Sequence, residues 1–194
     1  MDCKSMATSM IKNLKLLSDS SLDLVNPTLY IQLIKSLMYL VNTRPDICFA
    51  VNALSQYMVE PRHAHMVATK HVLKYLRGTV GYGLRHVSDE EVKLPGYTDS
   101  DWEGSAVDRK STSRCCFNMG SSMISWFCRK QTSVALRTAE AEYIAACGAS
   151  KEVMWLQKLL AGLFDQELET TLIFCDNQSC IKLSKNLVSR NRSK

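Results

Sequence analysis

Three short stretches carry the acids that could do chemistry: Tyr97-Thr-Asp-Ser-Asp-Trp-Glu-Gly104, Thr138-Ala-Glu-Ala-Glu-Tyr143 and Cys175-Asp-Asn-Gln-Ser179. The first puts Asp99 and Asp101 at the end of a run, Val92 to Thr98, that reads as a strand. Acids at a strand end commonly serve turns, where their side chains accept from nearby backbone N–H groups. Three acid-bearing stretches on separate elements offer a second use. Carboxylates that converge can hold a hard cation such as Mg²⁺, which prefers carboxylate oxygens, water and substrate phosphate. Two such ions about 4 Å apart activate water and stabilise the leaving oxygen in phosphodiester cleavage.

The elements that must position these acids can be read from their neighbours. Residues 138 to 164 read as one long helix, whose successive residues rotate by about 100°. Ala146, Ala149, Val153, Leu156 and Leu160 then fall within about 40° of Glu142 on the helical wheel. Glu140 lies near Lys151 and Lys158 instead. Glu142 is therefore expected on the sheet-facing side, where a carboxylate is costly unless paired or bound to a cation. Glu140 is expected on the wet side, supporting the helix start, with Thr138 as N-cap. Small residues at 145, 146, 148 and 149 allow close approach to a sheet. Asp176 ends the apolar run Thr171 to Cys175 just before a short helix from about Asn177 to Leu183. It is either that helix's N-cap or the third member of an acid cluster with Asp99 and Glu142. Alternation puts Asp101 on the same strand face as Asp99, where it joins the site or caps the turn.

Composition bounds the setting. The 194 residues, 46% of them apolar, hold one domain and a piece of another. No apolar run reaches the 18 or so residues that span a bilayer, and the first ten residues lack the apolar core of a signal peptide. An intracellular protein with no membrane partner is expected, cytoplasmic or nuclear. The eight cysteines form no Cys-x-x-Cys pair and read as reduced core residues. His63 and His65, two apart, lie on different helix faces and read as ordinary surface histidines. The net charge is +5. From Asp108 to Arg137 there are six basic residues (Arg109, Lys110, Arg114, Arg129, Lys130 and Arg137) and one acid, and the last thirteen residues hold five basic residues and no acid. Basic clusters beside carboxylates suit a phosphate-backbone partner.

Along the chain, residues 1 to 27 read as an irregular lead-in. Helices follow from Pro27 to Val41, from about Ile47 to Met58 and from about His63 to Leu76, with breaks at Pro45 and Pro61 and a stop at Gly78. Strands are expected over Gly81–Val87, Val92–Thr98, Thr112–Met119 and Met123–Cys128, the last two as a hairpin through Gly120-Ser-Ser122. With the long helix, the strand from Thr171 and the final helix, the order is β β β β α β α. The fold class is α/β, with helices covering a mixed sheet.

These motifs carry a family likeness. Tyr97-Thr-Asp-Ser-Asp-Trp102, Asp108-Arg-Lys-Ser-Thr-Ser113, Ile124-Ser-Trp126, Thr138-Ala-Glu-Ala-Glu-Tyr-Ile-Ala145 and Cys175-Asp-Asn-Gln-Ser179 resemble the ribonuclease H domain of copia-type LTR retrotransposon Pol polyproteins. Leu37-Met-Tyr-Leu40, Thr43-Arg-Pro-Asp-Ile47 and Leu73-Lys-Tyr-Leu-Arg-Gly-Thr79 resemble the segment between reverse transcriptase and ribonuclease H in the same polyproteins. The resemblance implies a helical connection segment over 1–78 and a ribonuclease H-like fold over 79–194 that lacks its last strand and helix. It implies hydrolysis of the RNA strand of an RNA–DNA hybrid with Mg²⁺, or Mn²⁺ in its place. Asp99, Glu142 and Asp176 map onto the first three catalytic, metal-holding acids. In such a fold Arg109, Lys110, Arg129 and Lys130 lie along the hybrid, which is read by shape and 2′-hydroxyls. The reverse transcriptase part of a Pol polyprotein is the implied protein partner.

The sequence also departs from the family pattern. Arg114 stands where the family commonly has Gly, and Arg137 where a small hydroxyl residue is usual. The region of the fourth acid has no counterpart, so impaired cleavage is expected. The alternative is an inactive retroelement remnant that serves as a nucleic-acid-binding or interaction module. No Arg-x-Leu-Arg motif of a secreted effector occurs.

Overall fold

A computed structural model describes residues 4–11, 16, 24–87, 93–105, 108–165 and 169–185. The chain divides into two compact units, Met1–Leu84 and Arg85–Lys194.

The first unit is helical. Helix α1 (Pro27–Leu40) starts with proline in its first turn, where the missing N–H costs nothing. Asn26, which the sequence reading did not single out, caps it by accepting from the N–H groups of Thr28 and Leu29. After α1 a 3₁₀ turn (Pro45–Ile47) runs into α2 (Cys48–Ser55), and α3 (His63–Gly78) follows. Tyr30, Ile34, Leu37, Ile47, Val51, Leu54, Met66 and Val72 form the core. One polar network crosses it. Buried Arg44 donates to both carboxylate oxygens of Asp46 at 2.9 and 2.7 Å and to the carbonyl of Thr79 at 3.0 Å, while Tyr75 donates its hydroxyl to Asp46 at 2.7 Å. His65 is not a surface residue. It is 1% exposed; its Nδ1 accepts from the Arg62 N–H, so its Nε2 donates to the Leu16 carbonyl. Two backbone partners explain why an imidazole can be buried there.

The second unit is a four-stranded mixed sheet under one long helix. Strands β1 (Gly96–Asp101), β2 (Thr112–Met119) and β3 (Ser122–Lys130) form an antiparallel meander. Helix α4 (Thr138–Phe164) crosses back, β4 (Ile173–Phe174) pairs parallel to β1, and α5 (Gln178–Lys185) ends the described chain. The strand order is β3-β2-β1-β4. Leu94, Cys115, Phe117, Ala149, Val153, Leu156 and Leu160 form the core between sheet and helix. Gly96 lies against Phe117, where a Cβ would come within 2.4 Å of the ring.

Three expectations need correction. The strand over Gly81–Val87 does not form; the chain there is turn and irregular. Two glycines make ordering costly, and the run finds no ladder. The next strand starts at Gly96, because Pro95 has no N–H to give a ladder, and it continues through Asp101. Asp99 thus lies within the strand; Val92, the expected start, falls outside the described residues. Lastly, α4 is not capped by Thr138. Arg137 is the capping position and offers no side-chain bond; instead Glu140 accepts from the Leu136 N–H at 2.8 Å. The seven cysteines among the described residues are free thiols.

Candidate metal centre

The register of β1 on β2 divides the central strand's side chains between two faces. Gly96, Thr98 and Ser100 sit opposite Phe117, Cys115 and Ser113, towards α4. Asp99 and Asp101, with Arg114 and Thr112 opposite them, take the other face by alternation. The start of α4 is drawn onto the sheet by alanines: Ala141, Ala145 and Ala149 are fully buried. Gln131, just past β3, fixes this approach. Its buried amide donates to the Ala141 carbonyl and to the Ser113 hydroxyl, both at 2.9 Å, so helix and sheet share one donor group.

Glu142 follows directly on Ala141 and is 6% exposed. The helical wheel's distinction between Glu142 and Glu140 therefore corresponds to two different jobs, one inside and one at the helix start. One Glu142 oxygen accepts from the Ser100 N–H at 3.0 Å. That N–H belongs to the peptide that follows Asp99, so the carboxylate reaches the acidic strand's backbone. The other oxygen faces the Cys175 thiol at 3.9 Å. Burial is the main cause that raises the Glu142 carboxyl above the usual carboxylate range; the Ser100 N–H opposes it, the charges of Asp99 and Asp176 add to it, and the Arg114 guanidinium opposes it.

Asp176 approaches from the end of β4. Asn177, not Asp176, caps α5 by accepting from the Cys180 N–H at 2.9 Å. Asp176 is thus not the cap that its place before a helix suggested. Donor atoms of Glu142, Cys175 and Asp176 all lie within 4.8 Å of one another. Two of the three predicted metal-holding acids therefore converge. Asp99 is not part of this trio. Its carboxylate lies 3.5 Å from Arg114 Nη1, while Asp101 lies 3.6 Å from Arg114 Nη2. Asp101 also folds over Gly104, where any Cβ would collide with its carboxylate. Cys180, buried nearby, has its thiol pushed up to about 12 by burial, which keeps it neutral.

The trio joins a buried carboxylate, a half-buried thiol and an exposed carboxylate within 4.8 Å of one another, with a third acid, Asp99, one peptide from the Glu142 hydrogen bond; carboxylate oxygens are the donors that hard divalent cations take. The sequence reading missed the parts that three residues play here. Gln131 gave no signal beyond being a polar residue past a strand end, and Arg114 was read only as part of a basic cluster and a departure from the family pattern, not as the partner of Asp99 and Asp101. Cys175 was visible only as the residue before Asp176.

The four residues expected to meet a phosphate backbone differ in their surroundings. Arg109 donates to both carboxylate oxygens of Glu103. Lys130 pairs with Asp108 at 2.9 Å; hydrogen bonds from Ser105 and Lys130 hold that carboxyl down at about 2. The Arg129 guanidinium lies over the Phe127 ring at 4.7 Å and remains exposed. Lys110 is half-buried in the loop before β2. Glu103 from the preceding segment and Asp108 from within it thus neutralise part of the basic charge between 108 and 137. Arg190, Arg192 and Lys194 lie outside the described residues. Among the described residues no helix is long and apolar enough to cross a membrane.

Comparison with known proteins places this geometry in context. Over 191 residues the chain is 39% identical to a retrovirus-related Pol polyprotein from transposon RE2 of Arabidopsis thaliana, an alignment that covers 98% of the chain and 13% of the relative. It is 42% identical over 168 residues to the retrovirus-related Pol polyprotein from transposon TNT 1-94 of Nicotiana tabacum, covering 85% of the chain and 12% of the relative. It is also 42% identical over 128 residues to secreted RxLR effector protein 161 of Plasmopara viticola, covering 66% of the chain and 90% of that protein. The chain thus spans about an eighth of the Pol polyproteins it matches. No protein-family model matches it, and no solved structure matches it.

Proposed function

We propose a function on this premise: the chain belongs to one family with RxLR effector protein 161 of Plasmopara viticola and the matching segments of transposon Pol polyproteins. Its second unit is a retroelement-derived ribonuclease H-like domain, of the copia type, that hydrolyses the RNA strand of an RNA–DNA hybrid. The topology supports this reading: an antiparallel three-stranded meander, a crossover helix, and a fourth strand parallel to the first. The observation that carries it is Glu142, a buried helix carboxylate hydrogen-bonded to the acidic strand's backbone beside Asp176.

Glu142 and Asp176 would hold the divalent ion, Mg²⁺ or Mn²⁺, with Asp99 from the strand. Bound there, the ion supplies activated water and neutralises charge on the leaving oxygen. The chain's own residues supply the placement. The Ser100 N–H fixes the Glu142 carboxylate, and Gln131 fixes the helix turn that carries it. Exposed Arg129 supports a surface for the hybrid's phosphates, with Lys110 beside the β1–β2 turn. The protein partner by the same reading is the reverse transcriptase part of a Pol polyprotein.

The test is a hybrid labelled on either strand, incubated with the full chain in Mg²⁺, Mn²⁺ or EDTA. Metal-dependent loss of the RNA strand alone, abolished by Asp176→Asn, supports the reading. Hybrid binding without cleavage would favour the alternative of a nucleic-acid-binding remnant.

A further inference from the structure

Arg114 is the one cation that ion-pairs with both Asp99 and Asp101 among the described residues. It stands opposite Asp99 in the strand register, so its backbone is fixed by the sheet rather than by a loop. Its two guanidinium nitrogens divide between the two acids, one facing each. The same guanidinium lies close enough to Glu142 to favour that residue's charged form. One positive side chain therefore pairs with two acids of β1 and also favours the charged form of Glu142 on α4.

We propose that Arg114 is a built-in cation of the acid cluster, which holds Asp99 and Asp101 in the metal-free protein and lowers the cluster's affinity for divalent ions. The inference rests on the metal-centre reading above and adds a residue to it. The physics is competition. A second positive charge beside the ion repels it, and an Asp99 oriented towards Arg114 must turn away from the guanidinium or share itself before it can ligate. The ion pairs are long and half-exposed, so each holds weakly and the exchange costs little. Arg114 is thus a positioning residue that sets how much metal the site needs.

The experiment measures Mn²⁺ affinity of the full chain from the electron paramagnetic resonance of free Mn²⁺, at low and high salt. Folding of each variant is checked by circular dichroism. Arg114→Gln removes the charge; Arg114→Met, of similar length, is a second neutral variant should the first fail to fold; Arg114→Lys keeps the charge. The neutral variants should bind Mn²⁺ roughly tenfold more tightly at low salt, the size expected from Coulomb's law for a unit charge several ångströms from a divalent ion in a watery surface. Arg114→Lys should stay close to the parent, and the gap should shrink at high salt. Equal or weaker binding by the neutral variants, with binding still lost in Asp176→Asn, overturns this inference and leaves the metal centre standing. No Mn²⁺ binding by any variant, or binding untouched by Asp176→Asn, overturns both.

Discussion

The Glu142 carboxylate accepts a hydrogen bond from the Ser100 N–H at 3.0 Å, tying the first turns of α4 to the strand that carries Asp99 and Asp101. A helix acid is thereby held near the end of an inner strand by a backbone group, which a change of side chain at Ser100 leaves in place. Burial and two nearby acids disfavour its charge. A buried carboxylate so placed costs the fold stability.

Glu142→Gln removes the disfavoured charge while keeping an oxygen for the Ser100 N–H. The variant is expected to be as stable as the parent or up to about 1 kcal/mol more stable, since relieved desolvation and repulsion outweigh a weaker hydrogen bond. Glu142→Ala leaves that N–H without its partner and should lose about 1–3 kcal/mol. Urea melts of both variants check the pair; destabilisation by Glu142→Gln as large as by Glu142→Ala would contradict it.

Gln131 is the second anchor of α4. Gln131→Ala removes donors to Ala141 and Ser113 and should cost about 1–2 kcal/mol. It should also weaken Mn²⁺ binding, because Glu142 sits one residue beyond the lost contact. Stability and affinity measured on one preparation decide whether the two effects travel together.

In the first unit, Asp46 is held below the ordinary carboxylate value of 3.8, chiefly by the hydrogen bond from Arg44 and with help from Tyr75. Its folded pKa lies below its unfolded one, so the stabilisation is complete above about pH 4 and is lost as pH falls through the depressed value. Asp46→Asn should remove this acid dependence. It should also cost about 2 kcal/mol at neutral pH, less than a fully buried pair because Asp46 is partly exposed. Thermal melts at pH 3 and pH 7 read both effects.

If the hybrid is a partner, Arg129 should matter more than Arg109. Arg109 is already neutralised by Glu103, whereas Arg129 remains exposed over Phe127. Arg129→Ala should flatten the salt dependence of hybrid binding by about one phosphate's worth; Arg109→Ala should change it less. Equal slopes for the two variants would show that the ion pair opens on binding.

Much of the scaffold is legible in the sequence where a strong period meets a clear stop. Pro27 and the leucine spacing mark α1, the Gly120-Ser121 turn marks the β2–β3 hairpin, and one helical wheel separates Glu142 from Glu140. Pairing beyond that hairpin was not legible. Gly81 to Val87 has strand-like residues but no ladder, and β4 holds only two residues although its apolar run is longer. The site divides the same way. Acid types and face could be read, but ion pairs between strands depend on register, so Arg114's place beside Asp99 and Asp101 could not. Neither could Asn177's taking of the cap, which leaves Asp176 to the cluster.

The central claim is that acids from β1, α4 and the end of β4 make one divalent-cation site. Paramagnetic broadening by substoichiometric Mn²⁺, read in an amide-resolved nuclear magnetic resonance spectrum, tests it most directly. The account predicts that the amides of Asp99, Ser100, Glu142, Asp176 and Asn177 broaden first, and that Asp99→Asn with Asp176→Asn abolishes the effect. Broadening centred on Glu103 and Asp108, or broadening that persists in the double variant, would contradict it.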